Sequence, residues 1–107
     1  MTKIEIIKNG DLVVGFCAVG HADFGTRGTD IVCAAASAII QTAALGIIKV
    51  IGINATVTRA DGKFTLVLPE GLCAKKQLDS RVIFDTMVCG IRDLEKQFPK
   101  NIKLGGL

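Results

Sequence analysis

The chain has 107 residues, half of them hydrophobic, five phenylalanines as its entire aromatic complement and a net charge of +3. That length holds one domain spanning residues 1–107 and excludes a second independent core. The basic residues are scattered along the chain and there is neither tyrosine nor tryptophan, so direct nucleic-acid binding through a clustered basic face with stacking aromatics is not expected.

The opening segment MTKIEIIKNG lacks the basic region, apolar run and small-residue cleavage site of a secretion signal, which predicts a cytoplasmic setting. Residues 2–8, TKIEIIK, partly alternate and read as a strand. Asn9-Gly10 supplies a hairpin turn, and DLVVGFCAV is the partner strand. A glycine-punctuated loop from Gly20 to Thr29 follows, with no apolar periodicity. A helix is predicted to start at Thr29 or Asp30, where either side chain serves as a cap, and to stop at about Leu45 or Gly46.

Inside that helix the uncharged run Ile31 to Ile48 is almost long enough to span a bilayer, but its alanines and the polar Ser37, Gln41 and Thr42 favour a soluble helix buried on most sides, with no membrane partner. KVIGINATVTRA and KFTLVLP flank Asp61-Gly62 and read as a second hairpin ended by Pro69. From about Leu72 to Phe98 the apolar residues Ile83, Met87, Ile91, Leu94 and Phe98 mark one face of a long helix, which Pro99 ends. The tail NIKLGGL adds a short edge strand. The expected fold is α+β, a single antiparallel sheet covered by two helices in the order ββαββα(β).

Four cysteines, Cys17, Cys33, Cys73 and Cys89, are expected as free thiols in a reducing cytosol. With no CxxC or HxxxH pair and a single histidine, neither a metal site nor a cofactor is expected. Among the cysteines, Cys33 stands out because a helix start at Asp30 puts it in the first turn. Unpaired N–H groups and the macrodipole favour a thiolate there and can hold an oxyanion. His21, the only imidazole, lies at the end of a strand twelve residues upstream, within reach if the intervening loop closes on itself. A thiolate–imidazolium pair is what a cysteine nucleophile needs.

A second reading stays open on the residues alone. Cysteine is among the most buried residue types, and Cys33 between Val32 and Ala34 also suits a small core position. Asp30 is a helix cap or a carboxylate that also orients His21. Ser37, one turn beyond Cys33, bonds back to the preceding turn or holds the cysteine's rotamer. Arg27 faces water or a substrate. Cys17, Cys73 and Cys89 have no histidine near them in sequence and read as packing residues.

GHA at residues 20–22 and DIVCAAASA at residues 30–38 resemble the ribosomal-processing cysteine protease (Prp) family, and the length, element order and Phe98-Pro99-Lys100 ending extend the resemblance over essentially the whole chain. The resemblance implies a cytoplasmic, homodimeric endopeptidase. Its partner would be the N-terminal peptide of large-subunit ribosomal protein L twenty-seven, whose extension it removes during ribosome maturation. It further implies Cys33 as nucleophile, His21 as general base, and Gly20, Asp30 and Ser37 as supporting residues. Asp23, Phe24, Gly25, Thr26, Arg27 and Gly28 would form the substrate loop. The loop DFGTRG and the helix segment AAASAII depart from the family's usual pattern, which bears on substrate preference rather than on the chemistry. The alternative is a non-catalytic ribosome-assembly or interaction protein with a structural cysteine; a thiol redox protein is a further rival, weakened by the lack of a CxxC pair.

Overall fold

Two hairpins and two long helices alternate along the chain, in a computed structural model that describes residues 1–20 and 27–107, with backbone alone at 27–30. β1 (Thr2–Asn9) and β2 (Leu12–Val19) form the first hairpin, and α1 (Arg27–Leu45) runs on without a break into a π-helical stretch (Gly46–Ile51). β3 (Thr56–Ala60) and β4 (Lys63–Val67) form the second hairpin, and α2 (Ala74–Gln97) leads to β5 (Ile102–Gly105). The order is the predicted one.

The strands make one sheet in the order β3-β4-β2-β1-β5. Three neighbouring pairs are antiparallel, but β5 runs parallel to β1, so the sheet is mixed rather than wholly antiparallel. A helix rather than a tight turn precedes β5, and such a crossover leaves an edge strand free to run parallel to its neighbour. The first turn also differs by one residue: Asn9 pairs with Leu12, leaving Gly10-Asp11 as the connection, and Gly10 alone takes a positive φ of 64°. The second turn is Asp61-Gly62 as expected, with Gly62 at φ 71°.

Side chains alternate across the sheet. Thr2, Ile4 and Ile6 of β1, Phe16 and Ala18 of β2, Phe64 and Leu66 of β4 and Ile102 of β5 are buried under the helices. Phe16 is at the centre, 6.0 Å from the stacked ring of Phe64 and 6.1 Å from the edge-on ring of Phe84. α2 contributes Ser80, Phe84, Met87 and Ile91, spaced four, three and four residues apart. The predicted Met87 and Ile91 are in that stripe, while Ile83, Leu94 and Phe98 flank it partly buried.

α1 buries Val32, Ala36, Ile40, Ala43 and Ala44 along one side, with Ile47 continuing the line into the π stretch. The helical run passes Gly46 instead of stopping there. Gly46 serves close packing, since a Cβ on it would come within 2.9 Å of Ile83 Cδ1, and the stop is Gly52, in left-handed backbone at φ 83°. KVIGI is accordingly helical through Ile51, and β3 is shorter than the sequence suggested. The stretch Ile31–Ile51 has a mean hydropathy of 2.1 and is long and apolar enough to cross a membrane, yet only 33% of its most apolar window is buried. The expectation of burial on most sides therefore fails: the chain covers the side that faces the sheet and the flank where Ile39 and Gly46 meet Gly90 and Ile83 of α2, and it leaves Ile31, Leu45, Ile48 and Val50 exposed.

Candidate active site

The end of β2 is fixed by a residue that has to be glycine. Gly20 has φ 115°, a Cβ on it would overlap the Met1 carbonyl oxygen, and its N–H donates to the Gly62 carbonyl at 2.9 Å. That bond ties the strand end to the turn of the second hairpin. The chain leaves this point directly into His21.

Cys33, Ser37 and Gln41 lie at successive helical turns of α1 and line a cleft of about 350 Å³. Its floor is apolar, made by Ala18, Ala36, Ile40 and Phe64, all buried. Its far wall is the turn of the second hairpin, Arg59 to Lys63, with Gly20 at one end. The Arg59 guanidinium lies 5.2 Å from the centre of the Phe64 ring, a cation–π contact that holds the arginine over the floor. Cys33 is a half-buried free thiol. A thiol on the wall of a cleft with an apolar floor and a polar rim is placed to attack a carbonyl of a peptide lying across it.

The structure thus brings together Gly20, Cys33 and Ser37. His21, Asp23, Phe24, Gly25 and Thr26 lie outside the described residues. Arg27, Gly28 and Asp30 are placed by their backbone in α1. Two expectations are corrected here. α1 begins at Arg27, so Asp30 is inside the helix and not its cap, and Arg27 and Gly28 belong to the first turn and not to a loop. Cys33 is then the seventh residue of α1, counting Arg27 as the first, beyond the four free N–H groups of a helix start. The sequence placed the boundary late because Thr29 and Asp30 are both good caps, while Arg27 and Gly28 carry no start signal.

The hairpin wall was not foreseen as part of the site. Arg59, Asp61 and Lys63 are far from Cys33 in sequence, and only the pairing of β2 with β4, with Val19 opposite Lys63, carries them alongside. The other cysteines divide. Cys17 is half-buried and accepts a bond from Thr65 Oγ1 at 3.4 Å, whereas Cys73 and Cys89 are exposed, so packing accounts for the first alone. A larger cavity of about 690 Å³ lies between the start of α2 and the Leu68–Leu72 segment, and it contains no cysteine.

A mixed five-stranded sheet with both helices on one side and a thiol in a hairpin-walled cleft defines a small thiol hydrolase. The sequence agrees: the family described as cysteine protease Prp matches residues 1–103, and the chain belongs to that family of cysteine proteases. The ribosomal processing cysteine protease Prp of Bacillus subtilis (strain 168) is 23% identical over 94 residues, covering 86% of this chain and 84% of the relative. The essential ribosomal processing protease Prp from S. aureus in complex with a substrate peptide superposes with a TM-score of 0.84 at 25% identity, each chain fully covered. The same protease in complex with a covalently linked product peptide gives a TM-score of 0.79 at 28% identity, again with both chains fully covered.

Proposed function

We propose that this cysteine protease removes the N-terminal extension of large-subunit ribosomal protein L twenty-seven, with Cys33 as nucleophile and His21 as general base. The observation that carries the reading is the position of Cys33 on the cleft wall, with Gly20 beside it and Ser37 one turn further along. The ribosomal processing named for the relatives, and the peptides bound to the S. aureus protease, support it.

In this reading the Cys33 thiol gives its proton to His21, and the thiolate attacks the scissile carbonyl. The tetrahedral intermediate collapses to a thioester as His21 returns the proton to the leaving amine. Water, deprotonated by His21, then cleaves the thioester, releasing the extension and restoring the thiol. Asp30 supports the histidine, Ser37 the cysteine, and Gly20 fixes the backbone from which His21 departs. Asp23 to Thr26, together with Arg27 and Gly28, are the residues assigned to contact with the peptide.

The enzyme acts in the cytoplasm as a homodimer. The groove between α1 and α2 accommodates the second copy: it measures about 580 Å³ and is lined by Ala38, Ile39, Thr42, Gly46, Ile83 and Met87 among others. Ile31, Leu45, Ile48 and Val50 of this apolar run are exposed in one chain, and a subunit contact on this helix would remove apolar surface from water.

Mass measurement after incubation with the extended ribosomal protein tests the function. Loss of the extension with the unmodified enzyme, abolished in Cys33→Ala, is the expected result; an intact extension with the unmodified enzyme overturns it. The dyad is tested separately by the rate of Cys33 alkylation against pH. Cys33 should be alkylated faster than Cys73 and Cys89 at neutral pH, and His21→Ala should remove that advantage.

A further inference from the structure

The lysines that look scattered along the chain are brought together on the sheet face that carries no helix. Ala60 pairs with Lys63, Lys63 with Val19, Val19 with Lys3 and Lys3 with Lys103. The five residues form one row from edge to edge of the sheet, following the strand order. The adjoining row, Phe64, Ala18 and Ile4, is buried under the helices. Alternation therefore turns the lysine row outward, and all three lysines are exposed.

Lys3 and Lys103 are direct neighbours on parallel strands, an arrangement of like charges that costs stability. Among the described residues none of the three lysines is seen with a carboxylate partner, whereas on α2 Lys75 pairs with Asp79 and Arg81 with Asp85. Glu5 is the acidic residue on this face, one row away and opposite Cys17 and Gly105. The other positions of the row are the small or apolar Val19 and Ala60, which add no charge. Lys63 also lines the Cys33 cleft, so the row starts at the active site.

We infer that this row is a docking surface for a nucleic-acid phosphate backbone. Strands about 4.8 Å apart spread the charged positions over roughly 14 Å in a line. Lysine binds phosphate as a point charge, so a line of ammonium groups suits a backbone without any base recognition. An acidic peptide would call for arginine forks matched to its carboxylates, and the row has no arginine. The inference rests on the proposed function only for its use: a substrate belonging to an RNA-rich particle would be presented beside the cleft.

The probe is fluorescein-labelled single-stranded RNA, longer than the roughly 4–16 nucleotides a small fold covers, followed by anisotropy between about 50 and 200 mM salt. Three phosphate contacts predict a log–log salt slope of about −2, a roughly sixteenfold loss of affinity over that range. Lys3→Gln/Lys103→Gln should bring the slope to about −0.7. Lys49→Gln/Lys96→Gln, off the sheet, should leave it unchanged. Melting temperature checks the fold, and the row variant should melt no lower than the unmodified protein because it loses a like-charge pair. Cleavage of a short extension peptide should be unchanged in Lys3→Gln/Lys103→Gln, so failure of the protease reading shows there and not in the RNA slope. Absence of RNA binding at low salt, an unchanged slope in the row variant, or equally tight binding of polyglutamate overturns the inference.

Discussion

The two helices solve opposite problems. α2 has nine charged side chains among its 24 residues, places them outward, and buries a single stripe of Ser80, Phe84, Met87 and Ile91. It is an amphipathic helix whose own sequence says which side meets water. α1 has only Arg27 and Asp30 as charged residues in its 19 positions and continues into an equally uncharged turn before Lys49. Burying one side against the sheet leaves Ile31, Leu45, Ile48 and Val50 exposed. An amphipathic helix is complete within its chain. An apolar helix with surfaces left over has further contacts to make: the Cys33–Ser37–Gln41 line opens on the cleft, and the proposed dimer would use the groove toward α2.

The sharpest test of the α1 side is Cys33→Ala. Loss of the proposed nucleophile should lower peptide cleavage by at least about a thousandfold, while the half-buried position and small volume change leave the circular dichroism spectrum and melting curve close to those of the parent. On the α2 side the largest expected effect is structural. Phe84 is 1% exposed and packs edge-on against Phe16, so Phe84→Ala should cost about 3–5 kcal/mol in denaturant unfolding. If Cys33→Ala unfolds the chain, or if Phe84→Ala leaves stability intact, the division of labour between the helices is wrong.

How much of this was legible in the sequence follows the same division. α2 was readable because period and polarity agree, and its predicted face included Met87 and Ile91. Both hairpins were readable from Asn9-Gly10 and Asp61-Gly62, although the first turn slipped by one residue. α1 was misjudged at both ends. Thr29 and Asp30 look like caps but are inside the helix, and Gly46 looks like a stop but is a contact point for Ile83. A uniform apolar run has no period to mark its buried sides, so only packing shows which are covered. Of the predicted site residues, Cys33, Ser37 and Gly20, carried by one local stretch, line one cleft. The hairpin wall was not legible, because strand pairing between distant segments builds it. The lysine row was hidden for the same reason.

Gly20→Ala separates the cleft from the rest of the sheet. At φ 115°, with the Met1 carbonyl where a Cβ would go, the substitution should cost at least about 2 kcal/mol of stability. It should also lower cleavage by more than the loss of folded protein explains, because the bond to Gly62 anchors the chain that enters His21. Thermal unfolding read together with cleavage per folded molecule checks both parts. A smaller energetic effect is expected at Ala38, exposed on α1 at the rim of the helix groove. If the proposed dimer uses this groove, Ala38→Glu should give a monomer in analytical ultracentrifugation where the parent is dimeric, and the concentration dependence of the melting temperature should vanish with it. A variant that remains dimeric puts the subunit contact elsewhere.

The smallest effect is predicted where α2 meets water. Arg81 Nε donates to Asp85 at 2.9 Å across one helical turn, with the side chains 47% and 61% exposed. At that exposure Coulomb attraction is largely offset by hydration and by the entropy of holding two long side chains in place. Arg81→Ala should therefore change stability by only about 0.2–1 kcal/mol, less at high salt. The arginine also reaches the Asp11 carbonyl at 3.5 Å, too long a contact to add much. A loss above about 2 kcal/mol would put this pair out of water. The outer side of α2 would then call for a covering surface as that of α1 does, and the contrast between the helices would collapse.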